Sequence, residues 1–239
     1  MDDQLLSEPP TASAAALARQ RGLGEWTGRT YATNQGWRYR KWQGWRLYVY
    51  AGGVIVTAPD GYEAAYDWGT TRVLQYRRSV NGALRDARYT LIDPSGNAVN
   101  IGPGMRGMLN KEKQRLGITS MVNGAPFSYP GDWGDPIERG ITRAQLPGVV
   151  ERIQRGGTVE FGPYKADRNG LASKKRTATW AEIDQIRVYD GMARFWASDN
   201  RTLVDSQFTH DIPNVNLFLN LCHYLKGRPE PLGQDGIVF

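Results

Sequence analysis

Hydrophobic and polar positions alternate with a period of two along much of the chain. In "WRLYVY", Trp45, Leu47 and Val49 point one way and Arg46, Tyr48 and Tyr50 the other, which predicts a half-buried strand. Ahead of it, "WRYRKW" sets Trp37, Tyr39 and Lys41 against Arg38, Arg40 and Trp42, with Gln43-Gly44 as the tight turn of a hairpin. Downstream, "VIVT", "YEAAYDW", "TTRVLQYRRSV", "ARYTLID" and "AVNIG" read as further strands, punctuated by "APDG", Asn81-Gly82 and "PSGN". Asn-Gly is the strongest of these breaks, because both residues accept the positive φ that a type I′ turn demands.

The order then recurs. Tyr48, Gly52-Gly53-Val54, a turn and Trp68 are answered later by Tyr164, Asn169-Gly170-Leu171, a turn and Trp180. Leu74 and Ile186 fall six residues beyond their tryptophans, and the next strands end in Asn81-Gly82 and Asp190-Gly191. "PSGN" and "SDNR" mark the last hairpin of each half, while "GLGEWTGRTY" and "RGGTVEFGPY" form the entries. Spacing rather than identity carries the expectation of a duplication.

Helical periodicity closes each half. "IPNVNLFLNLCHYLKG" places Leu217, Phe218, Leu221, Cys222 and Leu225 on one face, with Asn214 to cap the first turn and Lys226-Gly227 as the stop. "TRAQLPGVVERIQRGG" is the earlier equivalent, with Leu146, Val149, Val150 and Ile153 as its stripe and Pro147 in its first turn. Before it lies an insertion, roughly residues 103–141: "MRGMLNKEKQRLG" predicts a helix with Met105, Met108, Leu109 and Leu116 inward, and "NGAPFSYPGDWGDP" an irregular loop. The expected layout is an N-terminal segment (1–22) with an Ala-rich helix, a first unit (23–155), a second unit (156–228) and a tail (229–239).

The fold class expected is α+β, mainly β. Antiparallel strands closed by one amphipathic helix, carried by "LYVYAGGVIV…YDW", "YKADRNGLA…ATW" and "IPNVNLFLNLCHYL", resemble the pleckstrin-homology-like and GRAM-like superfold, in tandem, in an uncharacterised bacterial family. The resemblance implies two PH-like domains, each a bent antiparallel sheet or partial barrel capped by its C-terminal helix. In lipid-binding members of the superfold, cations around the early hairpins hold a phosphorylated headgroup. The matching positions here are Lys165, Arg168, Lys174, Lys175 and Arg176, whereas the first half has "TAPDG", with Asp60 and no cation, at the corresponding turn.

Composition shifts the picture modestly. In 239 residues, 30 Lys and Arg against 24 Asp and Glu give a net charge of +6, a bias toward anionic partners. A single cysteine, Cys222, allows no internal disulfide, and the acidic start "MDDQLLSEPP" lacks the basic-then-apolar pattern of a secretory signal, so the expected location is cytoplasmic, with peripheral contact at the inner membrane face. "GPGMRG" matches a dinucleotide-loop pattern but sits in a meander, not a βαβ unit. Cys222 and His223 are adjacent on a helix and diverge by about 100°, and Asp132, Asp135 and Glu138 read as loop solubility rather than a cation site.

No metal, cofactor or catalytic constellation is expected, and the chain does not read as an enzyme. The leading expectation is a non-catalytic adaptor that recognises a protein segment or an anionic lipid surface. The alternative is nucleic-acid binding on a platform of Trp37, Arg38, Tyr39, Arg40 and Trp42, where rings beside guanidinium groups suit base stacking.

Overall fold

The computed structural model describes residues 5–6, 8–33, 36–80, 83–104, 108–127, 129–189, 191–197, 199 and 202–227. The strands are β1 (Leu5–Leu6), β2 (Trp26–Ala32), β3 (Arg46–Tyr50), β4 (Gly53–Thr57) and β5 (Glu63–Asp67), which form one antiparallel sheet in that order. A second sheet holds β6 (Arg72–Val80), β7 (Ala83–Ile92), β8 (Asn97–Ile101) and β9 (Ser120–Asn123), the last pairing parallel to β8. The later half holds a four-stranded sheet of β10 (Val159–Phe161), β11 (Tyr164–Ala166), β12 (Gly170–Ala172) and β13 (Thr177–Thr179), then a three-stranded sheet of β14 (Gln185–Tyr189), β15 (Met192–Trp196) and β16 (Leu203–Phe208). Among the described residues four α-helices complete it: α1 (Ala12–Gln20), α2 (Asn110–Arg115), α3 (Pro130–Gln154) and α4 (Val215–Leu225). The protein is thus α+β and mainly β, with several antiparallel sheets and a few helices.

The two tryptophans used to align the halves occupy like places. Trp68 Nε1 donates to Ala51 O at 2.9 Å and Trp180 Nε1 to Asp167 O at 2.9 Å. Each follows a strand residue that pairs with a glycine, Asp67 with Gly53 and Thr179 with Gly170. A Cβ on Gly53 would sit 2.5 Å from Tyr66 O, and one on Gly170 would sit 2.1 Å from Ala178 O. Those are backbone atoms locked in a ladder and have nowhere to move. Gly53→Ala and Gly170→Ala are each expected to destabilise by at least the ~1–3 kcal/mol typical of overpacking, seen as lower urea midpoints. A midpoint unchanged in either variant would show that this strand pair is looser than described.

The alternation in β3 is real, but the strand is buried on both faces. Leu47 and Val49 enter the core between the first two sheets, and Tyr48 and Tyr50, expected outward, lie under α1 with Ala14, Ala18 and Ile55. Thr11 caps α1 by accepting from Ala14 N at 3.2 Å, and Ser13 Oγ donates to Glu63 Oε1 at 2.6 Å. "WRYRKW" is not a strand. Residues Trp37–Trp42 form a 3₁₀ helix, in which residues three apart eclipse, bringing the Tyr39 and Trp42 rings to 6.4 Å.

The largest correction concerns residues 130–154. The expected loop "YPGDWGDP" and the expected short helix are one helix, α3, with Pro130 at its start and Pro136 and Pro147 inside it. Pro136 offers no N–H to Asp132 O, and that carbonyl accepts instead from Tyr31 Oη at 2.8 Å. Trp133, Ile137 and Ile141 pack in the first core, whereas Leu146, Val149, Val150 and Ile153 pack against the second, so one helix serves both. In the insertion, α2 is shorter than predicted; Leu116 is buried but Leu109 is 75% exposed, and Met105 lies outside the described residues.

α4 buries Leu217, Phe218, Leu221 and Cys222 as its spacing predicts, with Phe218 stacked on Tyr164 at 5.1 Å. Asn214, however, makes no side-chain cap. Its φ is +52°, its Oδ1 accepts from Val73 N at 2.7 Å, and its Nδ2 donates to Thr71 O and to Gln145 Oε1. It stitches the start of α4 to β6 and α3. The turns at Asn81-Gly82 and, in part, Asp190-Gly191 and "SDNR" fall outside the described residues.

Candidate functional site: a cleft floored by a buried arginine

Alternation along β6, β7 and β8 sends Gln75, Tyr89, Val99 and Ile101 to the inner side of the second sheet and Leu74, Tyr76, Arg88, Thr90 and Asn100 to the outer side. The register places Tyr76 opposite Arg88, and Leu74, Thr90 and Asn100 in one row. Part of that outer face is covered: Leu116, Ile118, Met121 and Met108 pack over Leu74, Ile92 and Ala98. At the edge of this cover a narrow cleft opens, about 280 Å³ including its mouth, lined by Leu74, Tyr76, Arg88, Thr90, Asn100 and Met108.

Arg88 is 7% exposed, and its guanidinium is held by oxygens alone. Nε donates to Asn100 Oδ1 at 3.2 Å, Nη1 to Gly102 O at 2.6 Å and Nη2 to Asn100 O at 2.9 Å. Thr90 Oγ1 also donates to Asn100 Oδ1. Among the described residues no carboxylate pairs with Arg88. Burial alone pulls its pKa down to about 10, so it stays cationic at neutral pH. A buried charge normally has a counter-charge, and this one faces a cleft without one.

The cleft lies beside the junction of the two halves. Tyr76 meets His210 edge-on at 5.5 Å, and His210 stacks on Phe208 at 5.0 Å, which carries an aromatic shelf from β6 to the end of β16. Phe208 is 46% exposed, and Leu109, next to the cleft-lining Met108, is also bare. Arg115 pairs with Asp211 at 3.1 Å across the same seam.

Behind the sheet lies a polar knot of another character. Glu138 of α3 is buried, its Oε2 accepting from Asn216 Nδ2 while Oε1 has no partner. Burial raises its pKa to about 8, against the nearby Arg77, which lowers it, and Asp135, which raises it. Tyr89 Oη accepts from Gln75 Nε2 at 2.8 Å, and Asp135 reaches Arg77 at 3.8 Å.

The residues singled out from sequence are scattered by comparison. Lys174, Lys175 and Arg176 form the exposed β12–β13 tip, where Ser173 Oγ accepts from Lys175 N and Arg176 N. Lys165, on the outer side of β11, is engaged by Glu160 at 2.7 Å. Arg168 sits in the β11–β12 turn, at the opposite end of β12 from the tip, so the five cations do not converge. On the 3₁₀ platform, Trp37 is 77% exposed with Arg38 over its ring at 5.4 Å, while Lys41 covers Trp42 at 4.0 Å. Tyr39 and Trp42 are half-buried and Arg40 is exposed. Each of these cations covers one face of its ring.

Among the described residues no group of three His, Cys, Asp or Glu is placed to hold a metal ion. Cys222 is buried and its thiol is pushed well up by desolvation, which keeps it protonated. The Gly102–Gly104 turn of "GPGMRG" follows β8 and is succeeded by α2 and by β9, which pairs parallel to β8, so the antiparallel meander expected there gives way to a strand, a short helix and a parallel strand. No helix among the described residues is long and apolar enough to cross a membrane.

Arg88 was not singled out from the sequence. Its outward position was readable from the alternation in "ARYTLID", but the cleft it floors also needs Met108, which only the folded chain brings beside it. No curated protein and no solved structure matches the chain. A family model does match residues 44–230, most of its length. The chain belongs to that family, a family of unknown function designated DUF6585.

Proposed function

We propose that this protein is a non-catalytic binding module, two PH-like units in tandem, that recognises a segment of a partner protein at the Arg88 cleft. The single observation that carries the reading is a guanidinium buried, without a counter-charge among the described residues, at the floor of a cleft open to solvent. Such a cation recognises an anionic group. The PH-like description is supported by the strand order of the second half, a four-stranded and a three-stranded antiparallel sheet followed by α4, and by the matched tryptophan hydrogen bonds. A protein partner is favoured over a membrane because the exposed cations of the β12–β13 hairpin are spread over two ends of the strand, whereas the cleft offers one recessed charge beside apolar surface. Photo-crosslinking in cells of the source organism tests this. A photoreactive residue at Leu109, on the rim, is expected to give a discrete protein adduct that the same residue at exposed Glu25 does not; no adduct at Leu109, or the same set from both positions, overturns the reading.

A further inference from the structure

We infer that the group received by Arg88 is a carboxylate, presented by an Asp or Glu side chain of an extended partner segment that carries a bulky apolar residue next to it. This rests on the binding-module reading above and specifies its ligand. A guanidinium has five N–H donors, and the bonds to Asn100 and Gly102 leave one on each Nη nitrogen without an acceptor among the described residues. The Asn100 amide has its Oδ1 taken by Arg88 and Thr90, while its Nδ2 donors have no protein acceptor among the described residues. The polar floor therefore carries more donors than the described residues satisfy. A carboxylate satisfies paired guanidinium donors with two oxygens and matches a single positive charge with a single negative one. A phosphate monoester brings nearly two negative charges to a site with one cation, and desolvating the second would go uncompensated.

The walls specify the rest. Leu74, Met108 and the Tyr76 ring flank the floor, and the shelf through His210 to the exposed Phe208 continues from the mouth. The cleft is narrow enough to admit one functional group rather than a whole cofactor, so the remainder of the ligand lies along the surface. An acidic residue beside an aromatic or large aliphatic one is complementary to that profile in both charge and polarity.

The test follows the Arg88 Nε–Hε resonance in the full chain by NMR during titration with N-acetyl-Glu-Phe-amide, N-acetyl-Gln-Phe-amide, acetate and inorganic phosphate. The Glu peptide is expected to shift it saturably, binding about tenfold more tightly than the Gln peptide. Acetate is expected to give the same direction of shift at lower affinity. Phe208→Ala, a change on exposed surface, should weaken the Glu peptide and leave acetate unchanged, and Arg88→Gln should abolish the saturable shifts that the Glu peptide and acetate produce at the backbone amides of Thr90 and Asn100 in the wild-type chain. Equal responses to Glu and Gln peptides, or a stronger response to phosphate than to the Glu peptide, overturn the carboxylate assignment. Acetate binding as tightly as the Glu peptide overturns the protein segment as its source. A crosslink at Leu109 that persists without carboxylate selectivity would retain the binding module and remove only this inference.

Discussion

Trp133→Ala is expected to lower the unfolding free energy by about 3–5 kcal/mol, measured from the urea midpoint at unchanged slope. The indole is fully buried, meeting Tyr89 edge-on at 5.0 Å and Phe127 at 6.4 Å, and it fixes the first turn of α3 on the first core. The same ring lies close behind Gly102, whose carbonyl accepts from Arg88. The void would therefore loosen one of the oxygens that hold the guanidinium, and ligand affinity at the cleft should fall along with stability. A loss below about 1 kcal/mol would mean that the surroundings collapse around the cavity, contrary to the close packing described.

The second large effect is pH-dependent and belongs to Glu138. Its folded pKa of about 8 stands above its ordinary value of 4.5, chiefly through desolvation. The neutral acid is thus the form the fold accepts, and its contribution is fully present below the ordinary value. Between pH 4.5 and about 8 the unfolded chain releases a proton that the folded chain keeps. Stability due to this group accordingly falls across that window, by up to about 1.4 kcal/mol per pH unit, and levels off above it. Glu138→Gln removes the titrating proton while keeping an oxygen for the Asn216 amide. Relative to wild type it should gain stability as pH rises from 5 to 8, by a few kcal/mol in total. Parallel pH profiles for the two proteins would show that Glu138 reaches solvent or a compensating cation in the fold.

Much of the strand order was legible because a period of two requires only neighbouring residues to report it. β3 to β8 and the tip residues of most hairpins follow from the pattern directly. What failed needed distant chain. Tyr48 and Tyr50 looked solvent-facing because α1, which covers them, lies nearly thirty residues upstream. Residues 130–141 looked like a loop because Pro136 ordinarily breaks a helix, and only the Tyr31 hydroxyl, from β2, replaces the missing partner of Asp132. "WRYRKW" satisfies a period of two and a period of three equally well over six residues, and the 3₁₀ turn won. The cleft was invisible for the same reason as α1's cover: an outward Arg on a strand is ordinary until Met108, some twenty residues on, closes the cleft beside it.

Because α3 gives its first half to one core and its last half to the other, a cut near residue 155 would take from the second core the wall that the end of α3 supplies. A fragment ending near residue 155 would leave Leu146, Val149, Val150 and Ile153 bare, and one starting there would lack the wall they provide. The halves should therefore melt as one, in a single calorimetric peak, and whatever binds at the seam acts on an undivided body rather than on one lobe of a jointed pair.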